Sequence, residues 1–581
     1  MSVTFNLRFV PVSGHREIFA VHQFSMIATK SSSATTVKCS LNTAVPTDLM
    51  GKIKHKLNWK LDKSVAAAST DDNDIPCNLC VIDTLERLGV DRYFQSEIHT
   101  ILEQTYRLWQ RKDKAIFSDI TTHAMAFRLL RVKGYQVSSE ELAPYADQER
   151  VTIDVPTVIE LYRASQERMY EEESSLEKLH AWTTTFLNHQ LLTNSIPDIK
   201  LHKQVEYYLK NYHGILDRMA VRRSLDLYDI GHYQTLKAAA DRFPNLCNED
   251  FLEFARQDFN ICQAQHRKEL EQLQRWYADC RLDTLKFGRE TIHAANFVAS
   301  AIIGDPELSN VRLALAKLMV LIPRIDDYLV HSGSKEDSYK LLELVEEWKE
   351  EPATEYGSEE VEILFTSVYN TVNELAKMAH FEHGRSVKDI LIKLWVEILS
   401  IMKLEFDEWS NDDTALTLDE YLSVAWVSIT CRICILTSMH FLGIQFSEEM
   451  LQSEECTDLC RHVSMASRLL NDVGGFERER SENTSVNSVS LLLATEKDGR
   501  TITEEEAVTM LKEMAGYHRR KLMQMVYKSG TIFPRKCKDL FLKICSVSYY
   551  LYSTGDEFTS PQQMMEDMKS LVYEPLLVKS T

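Results

Sequence analysis

The chain has 581 residues, 44% of them hydrophobic and 26% charged, with a formal net charge of −20. That length exceeds one ordinary core and suits two or three domains. So acidic a composition argues against nucleic acid as a partner, which needs a basic face, while small anions can still bind where carboxylates first gather divalent cations.

The first 45 residues carry Arg8, Arg16, Lys30 and Lys38, many Ser and Thr, and a single acid, Glu17. That is the composition of an organelle transit peptide. A linker follows over 46–75, its polar part running from Ser64 to Asp74. From there apolar residues recur at three- and four-residue spacings, as in Ile82-Leu85-Leu88, Ile98-Ile101-Leu102 and Ala124-Phe127-Leu130. Strand-like alternation is not evident, and Pro and Gly fall largely between the periodic segments. The predicted architecture is all-α, with one helical domain over 76–265, a second over 266–581, and a boundary near 262–275. No run of about 18 apolar residues occurs, so no membrane span is predicted. Twelve scattered cysteines suit reduced thiols. Of the two CxxC pairs, Cys77/Cys80 and Cys431/Cys434, the second lies in an apolar run and reads as core packing rather than a zinc site.

Two acidic segments stand out in the second domain. The run Val311 to Leu321 reads as an amphipathic helix whose end Pro323 kinks or offsets, and it delivers Asp326 and Asp327 just past an apolar wall. Adjacent carboxylates are most often solvated charge. The other segment is more specific: Asn471, Gly475 and Glu479 are spaced i, i+4, i+8 and share a helix face, with Arg468 one turn earlier on nearly the same face. Amide and carboxylate oxygens suit Mg²⁺, and an arginine beside them suits a diphosphate.

On these residues the chain resembles the plant terpene synthases. Asp326-Asp327 looks like the start of DDxxD, and Asn471 to Glu479 looks like (N/D)Dxx(S/T)xxxE, about 145 residues on. Ile82 to Phe94 is similar to the opening of the family's N-terminal helical domain, Trp276 and Phe287-Gly288-Arg289 to the start of its catalytic domain, and Tyr552 to Thr559 to the loop over its active site. The match is best to kaurene-synthase-like class I diterpene synthases of the mint family. The resemblance implies an N-terminal β-type helical domain and a C-terminal class I α-bundle, with the third domain of larger relatives absent. It implies three Mg²⁺ ions, or Mn²⁺, held by Asp326, Asp327, Asn471 and Glu479, with Arg289 and Arg468 on the substrate diphosphate. The implied substrate is a C20 prenyl diphosphate, either copalyl (labdadienyl) or geranylgeranyl, and the implied location is the plastid stroma. No DxDD acid is present, since Asp71-Asp72-Asn73-Asp74 has the wrong order; a bicyclic substrate would therefore couple the chain functionally to a separate class II cyclase. Trp395, Trp426, Tyr549 and Tyr552 are candidate cavity-lining groups, each equally suited to ordinary core.

Three positions depart from the family pattern. Val330 stands where DDxxD ends in an acid, Gly475 replaces the Ser or Thr, and Asn487 occupies a place that relatives often fill with lysine. A water can stand in for the missing hydroxyl; the lost carboxylate needs Glu336 or Asp337 to reach back. These losses support a rival expectation, a catalytically silent homologue that binds a prenyl diphosphate or a partner. Retention of Arg289, Arg468, Asn471 and Glu479 opposes it.

Overall fold

The structure is a computed structural model and describes residues 75–146, 153–227, 249–349, 355–384, 386–409, 416–482, 486–497, 500–552, 555–556 and 562–578. The expected transit peptide, and the linker apart from Ile75, lie outside these residues. The described residues are helical nearly throughout; the exception is an antiparallel ribbon pairing Glu496 with Thr501 and Lys497 with Arg500.

Local chemistry sets the helix starts. Asp119, Asp154 and Asp198 cap helices with their carboxylates, and capping boxes open others at Ser334/Asp337, Thr417/Glu420 and Thr503/Glu506. The first of these answers a question the sequence posed. Asp337 accepts from the Ser334 N–H at 3.2 Å and its hydroxyl at 2.9 Å, and Glu336 is exposed. Asp337 is thus engaged in capping its own helix.

A continuous apolar core runs from Ile82, Phe94 and Phe127 in the first half to Phe297, Leu321, Leu470 and Phe541 in the second; Val158, Tyr162, Leu187 and Val205 form a smaller cluster beside it. The helix Glu249–Asp279 passes unbroken through 262–275. About a third of the way along it, Asp258 accepts from Arg92 at 2.5 Å and from Tyr93 at 2.8 Å. Near its end the Trp276 indole donates to Thr371 at 3.1 Å. Two residues past Asp258, Asn260 exchanges two 2.9 Å hydrogen bonds with the backbone of Leu576, pinning the C-terminal tail.

The segment Leu418–Met439 contains an 18-residue stretch with a mean hydropathy of 1.6, as apolar as a membrane span. Here it forms two helices, Leu418–Ser428 and Cys431–Met439, parted at Thr430, whose φ is +69°. Its residues Tyr421, Leu422, Ile433 and Leu436 belong to the core.

Candidate active site

Asp326 and Asp327 lie within the helix Ser309–His331, which continues through Pro323. Proline has no N–H for the Met319 carbonyl four residues back. Thr291 supplies the missing donor, its hydroxyl bonding that carbonyl at 3.2 Å. The helix therefore does not end at Pro323, and the acid pair rides on a rigid element.

Being adjacent on a helix, the two carboxylates point different ways. Asp326 is half-exposed, whereas Asp327 is buried. Arg289 encircles Asp327: its backbone N–H donates to Oδ2 at 2.7 Å, its Nε to the same oxygen at 3.1 Å, and Nη2 lies 2.7 Å from Oδ1. The same Nη2 stands 3.8 Å from Asp326. Burial alone would lower the guanidinium's proton affinity, but Asp327 beside it prevails and raises it.

Gly288 makes this approach possible, with φ at +75° and no room for a side chain; a Cβ there would sit 2.9 Å from Asp327 Oδ2. Buried Arg324, one turn before Asp327, fixes the loop from beneath. It donates to the Phe287 carbonyl at 2.6 Å, to that of Leu282 at 3.2 Å, and to the Tyr277 hydroxyl.

The second wall is the helix Glu454–Glu482, which carries Arg468, Asn471, Asp472, Gly475 and Glu479. Arg468 Nε donates to the Ala425 carbonyl at 3.0 Å, Nη2 to Ser428 Oγ at 2.7 Å, and Nη1 to Asn471 Oδ1 at 3.4 Å. The Ser428 hydroxyl in turn donates to Glu405. Asp472 is buried and bound, accepting from the Tyr421 hydroxyl at 3.0 Å and the Ser488 N–H at 3.1 Å. Asn487 is buried as well, and its amide donates to Glu479 Oε2 at 2.9 Å.

Electrostatics tie the two walls together. Burial pushes the Glu405 carboxyl up to about 7; Asp326 from one wall and Asp472 from the other add to the rise, while Arg468 and Ser428 oppose it. Burial likewise raises the Tyr552 hydroxyl, which interacts with Asp556 and Arg289 and hydrogen-bonds Asn471. Asp556 lies 3.3 Å from Arg478 and within electrostatic reach of Arg289. Tyr552 and Asp556 therefore sit where the two motifs converge.

Arg289 joins Asp326 and Asp327, Arg468 joins Asn471, and Glu479 lies one turn past Gly475 on the same helix. Among the candidate lining groups, Tyr552 reaches the motifs. Trp395 and Tyr549 are buried in the core, with Tyr549 edge-on to His213 at 5.3 Å, and Trp426 carries the Arg461 guanidinium 5.5 Å over its ring. Sequence reading did not single out Glu405, Ser428, Arg324 or Tyr421. No motif marks them, because each acts through a neighbour that only the fold supplies.

A bundle with two polar helix walls, each pairing an arginine with oxygen donors, is the frame of a class I terpene synthase. Residues 278–521 match the terpene synthase family, metal binding domain, and residues 23–209 match the terpene synthase N-terminal domain; the chain belongs to this family. It is 72% identical to the chloroplastic miltiradiene synthase of Isodon japonicus over 100% of this chain and 97% of that one. It is 57% identical to the chloroplastic sclareol synthase of Salvia sclarea, covering 99% and 100%. Among solved structures, abietadiene synthase from Abies grandis superposes with a TM-score of 0.77 at 25% identity, over 87% of this chain and 68% of that one. Isoprene synthase from grey poplar, in complex with three Mg²⁺ ions and dimethylallyl-S-thiolodiphosphate, shares the fold with a TM-score of 0.76 at 22% identity, over 91% and 97%. The chain is a class I diterpene synthase acting on a prenyl diphosphate.

Proposed function

We propose that the protein ionises a C20 prenyl diphosphate, copalyl (labdadienyl) or geranylgeranyl, in the chloroplast stroma and cyclises or hydroxylates the resulting cation. The observation that carries this reading is the pair of guanidiniums, Arg289 and Arg468, each held by an accepting oxygen of a motif helix. In this reading 1–45 is the transit peptide, 46–75 the linker, 76–265 the N-terminal domain and 266–581 the catalytic domain.

The donor set fits a hard divalent cation. Carboxylates of Asp326, Asp327 and Glu479 and the amide oxygen of Asn471 are all oxygen ligands. Among the described residues no three His, Cys, Asp or Glu side chains form a ready-made metal cluster. Mg²⁺, as three ions by analogy with the poplar enzyme, or Mn²⁺, would supply Lewis acidity toward the diphosphate leaving group.

The protein's own groups do the rest. Arg289 and Arg468 grip the diphosphate and stabilise the charge it gains as the C–O bond breaks, its electron pair leaving with the oxygen. Tyr552 lies over the motifs, and exclusion of water protects the allylic cation until it loses a proton, or takes up one water and then loses a proton. If copalyl diphosphate is the substrate, a separate class II cyclase must make it.

The test is to supply copalyl and geranylgeranyl diphosphate in parallel to the purified enzyme with Mg²⁺ and identify the products. One of them is turned over, and Asp326→Ala abolishes that turnover. Full activity in excess chelator would defeat the metal mechanism.

A further inference from the structure

Asn487 is a buried side chain that the reaction, as described so far, does not use. It is 1% exposed and caps the short helix Ser488–Leu493, its Oδ1 accepting the Val489 N–H at 2.8 Å. Its amide nitrogen donates twice, at 2.9 Å to the Asp472 carbonyl and at 2.9 Å to Glu479 Oε2. Both amide hydrogens and the amide oxygen are thereby engaged. The side chain cannot drift, because the turn that carries it is fastened through Ser488 to Asp472, itself held by Tyr421.

Glu479 has a long side chain that loses rotamer freedom when ordered. Its Oε1 lies back along the helix over Gly475, where an added Cβ would approach within 2.7 Å. Arg478 stands 3.6 Å from that same oxygen. One carboxylate oxygen is thus fixed by Asn487, and the other occupies space that exists because residue 475 has no side chain.

We infer that Asn487 is the positioning residue for Glu479, and that Gly475 is the clearance this position requires. The two departures from the family pattern are then halves of one arrangement. It rests on the reading of Glu479 as a metal ligand. Partners that orient a ligating carboxylate tune metal affinity, typically by 10–100-fold.

Asn487→Asp separates positioning from structure. Aspartate caps a helix about as well as asparagine, so the Ser488–Leu493 start survives, but an acceptor now faces the Glu479 carboxylate where a donor stood. Isothermal titration of Mg²⁺ with inorganic diphosphate into the full chain, without substrate, reads the effect directly. Asn487→Asp should bind about 10–100-fold more weakly, with a raised Mg²⁺ requirement in turnover and a small change in kcat at saturating metal. Gly475→Ala, which leaves the cap untouched and favours helix, should shift affinity in the same direction and decides the matter if Asn487→Asp does not fold. Glu479→Gln is the reference. If it binds weakly while Asn487→Asp, or Gly475→Ala in its place, binds as the parent does, the positioning role is overturned. If Glu479→Gln itself binds as the parent does, the ligand role of Glu479 falls instead.

Discussion

Gly288→Ala tests how the first motif is held. The backbone there has φ at +75°, a conformation that costs an L-residue roughly 1–2 kcal/mol. The added methyl would also meet Asp327 Oδ2 at 2.9 Å, Asp327 Cβ at 3.1 Å and Arg324 Nη1 at 3.1 Å. Asp327 sits on a rigid helix and Arg324 is buried, so the loop must give way rather than the helix. The first casualty is the 2.7 Å bond from the Arg289 N–H to Asp327, a hydrogen bond to a charged group worth about 1.5–3 kcal/mol. Loss of that bond misplaces the Arg289 guanidinium, and the same energy expressed in the transition state is about 10–100-fold in kcat/KM. The assay is steady-state turnover of the C20 diphosphate, together with inhibition by inorganic diphosphate, which should weaken in parallel. Parental kcat/KM in a folded Gly288→Ala protein would refute the claim that this loop sets the Arg289 geometry.

Val330 is half-exposed and four residues past Asp326, on the same helix face. Val330→Asp should therefore lower the Mg²⁺ concentration for half-maximal activity by on the order of tenfold, because added ligand charge tightens such sites; an unchanged Mg²⁺ titration would count against position 330 as the place of a lost ligand. Thr291→Val leaves the Met319 carbonyl beside Pro323 without its donor, and should cost about 1–3 kcal/mol in urea unfolding. Glu405 gives a pH prediction for the metal-free protein. Its carboxyl titrates near 7 when folded against an ordinary 4.5, so between those values the folded state holds a proton that the unfolded chain has released. That contribution to stability is present in full below about 4.5 and lost as pH rises through about 7. Urea melts of Glu405→Gln in chelator should show a flatter pH dependence across that window than the parent, and parallel curves would exclude the assignment.

The helical class was legible because apolar spacing is a local property of the chain, and so was the helical placement of Asp326, Asp327, Asn471 and Glu479. What escaped was whatever depended on a partner distant in sequence. Pro323 reads locally as the end of a helix; the Thr291 hydroxyl, 32 positions earlier, lets the helix continue. Val330 reads as a missing ligand that Asp337 could replace, yet Asp337 is engaged in capping its own helix. Glu405 lies in the unremarkable run Leu404-Glu405-Phe406 and gains meaning through Ser428, which relays it to Arg468. Asn487 reads as a lost positive charge, whereas in the fold it is a donor to Glu479.

The helix Glu249–Asp279 has a practical consequence for anyone recombining these enzymes. Its 31 residues make a rod of about 46 Å. Arg92 and Tyr93 hold it at Asp258, the tail at Leu576 holds it two residues further on at Asn260, and Thr371 holds Trp276 near its far end. A chimera joined inside this rod would have to match three sets of contacts from three parts of the chain at once. Crossovers placed before Glu249 or after Asp279 carry the rod whole from one parent, and so put the seam where fewer inherited contacts must agree.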